Sequence, residues 1–80
     1  MGTIDLHGLK HEKVGSMLDI FIWENMKHNA SAVKIITGNS SEMKKIVYDI
    51  AHEYGFSIDD SWTNSGTLIM YLSWKNGTYI

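Results

Sequence analysis

The chain predicts an α/β (α+β) two-layer sandwich, in which one four-stranded mixed sheet in the order βαβαββ carries both helices on one face. Three observations predict it. Two stretches repeat apolar residues at spacings of three and four, the period of an amphipathic helix. Four short runs alternate apolar with polar residues or concentrate β-branched ones. The joints between them are short turns bearing Gly, Asn and Ser, with no Pro, internal repeat or low-complexity segment.

The first run is Thr3-Ile4-Asp5-Leu6-His7-Gly8. Alternation puts Ile4 and Leu6 on one face of a strand and Asp5 and His7 on the other. Gly8 then permits a sharp turn. From about His11 to Asn29, Val14, Met17, Leu18, Phe21, Ile22 and Met26 form one apolar stripe, which predicts the first helix. Gly15 costs roughly 1 kcal/mol against Ala inside a helix, so close packing on the sheet is expected there. Trp23 lies off the stripe, either under the sheet edge or projecting outward.

Val33-Lys34-Ile35-Ile36-Thr37 reads as a second strand, parallel to the first through the helical crossover. Thr37-Gly38-Asn39-Ser40-Ser41 is the next turn. Asn39 with Glu42 three positions on fits a capping box, with Ser40 and Ser41 as competing caps. The second helix follows, with Met43, Ile46, Val47, Ile50, Ala51 and Tyr54 on one face and Gly55 as its stop. Residues 56–60 alternate as a third strand whose apolar phase Trp62 continues. Thr63-Asn64-Ser65-Gly66 is a turn, and Thr67-Leu68-Ile69-Met70-Tyr71-Leu72-Ser73 is the last strand.

Burying Ile4, Leu6, Val33, Ile35, Leu68, Met70 and Leu72 leaves Asp5, His7, Lys34, Ile36, Ile69 and Tyr71 on the opposite face. Three of those six are large and apolar. Such a patch calls for cover by the C-terminal tail (Trp74, Tyr79, Ile80), for a homodimer contact, or for a stacking platform for nucleic acid.

Eighty residues make a single domain, 1–80, with its core over about 3–73 and a tail over 74–80. The 44% hydrophobic and 20% charged residues are those of an ordinary globular protein. Without Cys there is neither a disulfide framework nor a thiolate metal site. No apolar run approaches the ~20 residues of a membrane span, and no secretion signal opens the chain, so no membrane partner and a cytoplasmic location are expected. The formal charge of −2 argues against a broadly basic nucleic-acid grip, and all seven cations are Lys rather than Arg. Lys10 and Lys13 flank one helix start, however, and Lys44 and Lys45 another. If both starts face one edge, a local positive field can exist on an acidic protein.

An imidazole exchanges protons near neutral pH, so His7 suits base or acid work. Asp5 can orient that ring or hold a divalent cation. The plainer reading gives Asp5 a backbone amide to cap and His7 a carbonyl to bond. The turn before the second helix, Thr37 to Ser40, offers backbone N–H groups and the positive end of a helix dipole to an anion. His28 and His52 read as surface or helix-end residues, and with His7 and His11 they form no metal-binding spacing.

In order, Ile4-Asp5-Leu6-His7-Gly8, Ile35-Ile36-Thr37-Gly38 and Gly66-Thr67-Leu68 give the chain a resemblance to the Smr domain, the small MutS-related module, across about residues 3–73. The resemblance implies nicking or endonucleolytic cleavage of DNA or RNA. Asp5 and His7 would be the catalytic pair. Substrate would meet Gly8, Lys10, His11, Lys13, Thr37, Gly38, Asn39, Ser40, Lys44 and the hydroxyl of Thr67. Whether Mg2+ or Mn2+ takes part is left open. The second of these motifs, continued as Thr37-Gly38-Asn39-Ser40, departs from the family pattern, since Asn39 stands in place of a cation and Ser40 in place of a second glycine. That departure and the net acidity favour the alternative, a non-catalytic adaptor that keeps the fold and binds nucleic acid or protein without cleavage.

Overall fold

The computed structural model describes residues 1–60 and 65–72. Its elements follow in the predicted order: β1 (Gly2–Asp5), α1 (His11–Lys27), β2 (Ala32–Ile36), α2 (Ser41–Tyr54), β3 (Ser57–Asp59) and β4 (Thr67–Tyr71). The sheet runs β1-β2-β4-β3, so the last strand is inserted beside β2 rather than added at the edge. β1 and β2 are parallel, while β4 is antiparallel to both its neighbours. The helices share the face that presents Leu6, Val33, Ile35, Leu68 and Met70, and these close one core with Val14, Leu18, Ile22, Met43 and Val47.

α1 buries a line at every fourth residue, Val14, Leu18 and Ile22. Met17 does not belong to it and is 42% exposed, because at 100° per residue it points well to one side of Leu18. Gly15 has open space around it, not the close packing on the sheet that its presence suggested. Trp23 projects outward, 61% exposed. Asn29, at a φ of 59°, takes the left-handed turn that ends the helix.

α2 is capped by Ser40, whose hydroxyl accepts from the Met43 amide at 3.0 Å. The expected capping box on Asn39 is therefore not formed; the chain enters the helix one residue later, and Glu42 turns toward His11. Gly55 ends the helix with a φ of 77°. Tyr54 stacks on Phe56 with centroids 5.2 Å apart and donates to Asp19 Oδ1 at 2.9 Å, tying α2 to α1. Burial, then the Asp19 carboxylate, pushes the Tyr54 phenol above its usual pKa.

On the opposite face, Asp5 and Lys34 are exposed and Ile36 is half-buried. Ile69 departs from expectation at 8% exposed. It lies on an inner strand between Lys34 of β2 and Asp59 of β3, whose side chains flank it on both sides. The tail residues Trp74, Tyr79 and Ile80, and Trp62 with the start of the 63–66 turn, lie outside the described residues.

Gly15→Ala should stabilise the domain by about 0.5–1 kcal/mol in urea unfolding, since the added methyl meets nothing and helix propensity improves. Gly66→Ala should cost about 2 kcal/mol or more in the same measurement. Its φ is +74° and the new Cβ would lie 2.9 Å from Gly38 Cα.

Candidate active site

The parallel pairing of β1 and β2 delivers two strand ends to one rim of the sheet. Asp5 pairs with Ile36, and the Leu6 amide donates to the Ile36 carbonyl at 2.8 Å. The chain then reverses: the Leu9 amide donates to the Leu6 carbonyl at 3.0 Å, with Gly8 at a φ of 80° in the third position. Asp5 Oδ1 accepts the His7 amide at 2.9 Å and so fixes this turn. The capping role of Asp5 is thus observed, and one carboxylate oxygen is spent on it. His7 is exposed, and among the described residues its ring makes no hydrogen bond, to a carbonyl or to Asp5.

The imidazole instead lies against the second turn. A Cβ placed on Gly38 would stand 3.0 Å from His7 Cδ2, so only a glycine gives the ring that room without displacement. Gly38 is held from below. The Gly66 carbonyl accepts the amides of Thr37 at 2.8 Å and Gly38 at 3.1 Å, and lies 3.3 Å from Thr37 Oγ1. Thr37 Oγ1 also lies 3.0 Å from the Gly38 carbonyl, which its single proton can serve instead. The Thr37 side chain is 1% exposed, the one buried polar residue among those described.

This arrangement shifts the unpaired amides along the chain. The Thr37 and Gly38 amides, expected to be free, are both engaged by Gly66. The amides of Asn39, Ser40, Ser41 and Glu42 have no hydrogen-bond partner among the described residues. They stand at the positive end of α2, beside the turn that His7 touches. Thr37 supports the loop from inside rather than facing a ligand. Gly66 is the residue that sequence reasoning did not place in the site. Its signal is a glycine directly before the last strand.

Both helix starts do face this rim, since His11 Nδ1 lies 4.0 Å from Glu42 Oε2. Lys10 and Lys13 are exposed and Lys44 is half-buried. Lys45 is drawn away to Asp49 at 3.0 Å. Thr67 is half-buried in the same cross-strand row as Asp5 and Ile36. Among the described residues no group of three His, Cys, Asp or Glu side chains could hold a metal ion. Nor is any described helix long and apolar enough to cross a membrane.

Thr37→Val, which keeps the shape and removes the hydroxyl, should cost roughly 1–3 kcal/mol in urea unfolding, and Thr37→Ser should recover most of it.

A family model described as the Smr domain matches residues 4–55, well over half of the chain. Neither a curated protein nor a solved structure matches it. The matched segment stops before Gly66, although β4 brings that residue into the rim.

Proposed function

We propose, from the premise that this chain belongs to the Smr domain family, a nuclease-like and nucleic-acid-related family, that it is a weak endonuclease acting on DNA or RNA phosphodiesters. One observation carries the reading: the exposed His7 ring packs on Gly38 at the start of the turn whose next four amides are unpaired. A phosphate received by the amides of residues 39–42 would sit beside an imidazole. There the neutral ring accepts the proton of an attacking water or 2′-hydroxyl, or the protonated ring gives one to the leaving oxygen. The amides and the helix end stabilise the negative charge that builds on phosphorus-bound oxygens. Asp5 holds the turn that carries His7 and contributes its second oxygen to the electrostatics of the rim. Lys10, Lys13 and Lys44 supply non-specific phosphate attraction.

The adaptor reading keeps one observation in its favour: the second turn spends its Gly38 amide on Gly66 and lacks a cation, so its hold on a phosphate is lighter than a fully open loop would give.

Supercoiled plasmid and structured RNA are the substrates that separate the two readings, each tested with and without Mg2+ and Mn2+. His7→Ala should lower cleavage by about 10²–10⁴-fold while leaving binding in place. Asp5→Asn retains the oxygen that accepts the His7 amide, so its loss of activity would report charge and not a broken turn. Cleavage undiminished in His7→Ala would exclude this mechanism, and salt-sensitive binding without cleavage by the wild type would establish the adaptor.

A further inference from the structure

We infer that the sheet face opposite the helices is a track for the single-stranded nucleic acid flanking the cleaved bond, with Lys34 meeting a phosphate and Tyr71 stacking on a base. The inference rests on the reading of the rim as a phosphodiester site, and it concerns residues beyond that rim.

Strand register lays the face out in three rows. Asp5, Ile36 and Thr67 form the row at the rim. Thr3, Lys34, Ile69 and Asp59 form the next, and Ala32, Tyr71 and Ser57 the third. Alternate residues of a strand lie on one face about 6.6 Å apart, so Lys34 stands one such step from the Asp5 row and Tyr71 two steps from Thr67. A hollow of about 510 Å³ runs along these rows, lined by Thr3, Lys34, Asp59, Thr67, Ile69 and Tyr71 among others. Thr67 therefore belongs both to the hollow and to the row that contains Asp5.

Two residues give this hollow a preference for nucleic acid. Lys34 is exposed in the middle of the face and has no ion pair among the described residues, whereas Asp59 across Ile69 has an interaction of its own. A cation left unpaired on an apolar floor complements a phosphate strand. Tyr71 is 41% exposed, and its partners in the row are the small Ala32 and Ser57, so among the described residues no large cross-strand side chain covers the ring. Bases that are already stacked in a duplex cannot use such a ring, so the face selects single strands.

Fluorescence anisotropy with short labelled oligothymidylate, oligouridylate and a hairpin duplex tests this, in the full chain carrying His7→Ala to prevent cleavage. Tyr71→Ala should weaken single-strand binding roughly tenfold and leave the duplex unaffected, while Tyr71→Phe should bind as its parent does. Lys34→Gln should flatten the dependence of log K on log salt by about 0.7 for a single strand. Both side chains are exposed, and circular dichroism melts should confirm unchanged folding. Parental affinity and salt slope in both variants, with binding lost in Lys13→Gln, would confine the contacts to the rim and overturn the track. So would the absence of single-strand binding by the parent at low salt, or a dimer in sedimentation that Tyr71→Ala dissociates. If binding depends on Lys34 and Tyr71 but the wild-type chain never cleaves, the track stands and the nuclease reading fails.

Discussion

The Gly66 carbonyl is the point on which the site depends. It accepts two consecutive amides from the β2–α2 turn and lies within reach of the only buried hydroxyl described, so a single oxygen fixes the height and tilt of Gly38. Gly38 in turn is the floor beneath His7. Losing the β4 start would release the loop, and with it the distance between the imidazole and the free amides of α2. Inserted next to β2, the last strand supports the β2–α2 turn from the side opposite β1.

The chemistry then follows from what each group has left to offer. Asp5 spends one oxygen on the turn, Thr37 spends its hydroxyl inside the fold, and Lys45 is held by Asp49. What remains available at the rim is the His7 ring, four amides at a positive helix end, and scattered lysines. In the proposed endonuclease that set would polarise and protonate a phosphodiester with only a light grip on nucleic acid, in keeping with the acidic balance of the chain. On the inferred reading, such a domain would gain from contacts on the neighbouring sheet face, where among the described residues Lys34 has no ion pair and Tyr71 is exposed.

The fold was legible because its signals are local. The 3.6 period of α2, the alternation of the first strand and Gly55 at the helix end each act within a few residues, and the elements formed in the expected order, although β1 ends at Asp5 and leaves His7 in the turn rather than on the strand. The misreadings were of environment. Met17 and Leu18 are equally apolar, and only the direction of contact separates them. The phase of Ile69 predicts exposure, yet its neighbours in the register enclose it. Gly15 resembles a packing glycine until its surroundings prove empty.

By itself the sequence determined the order of elements, the parallel first pair of strands, the apolar set of the core and the delivery of Asp5 and His7 to a strand end, since all of these depend on residue type and period. Tertiary structure alone decided which amides are free. A backbone N–H carries no mark in the sequence, and whether it is satisfied depends on a carbonyl nearly thirty residues away. The insertion of β4 beside β2, which supplies that carbonyl, is a pairing between distant segments and leaves no periodic trace in either.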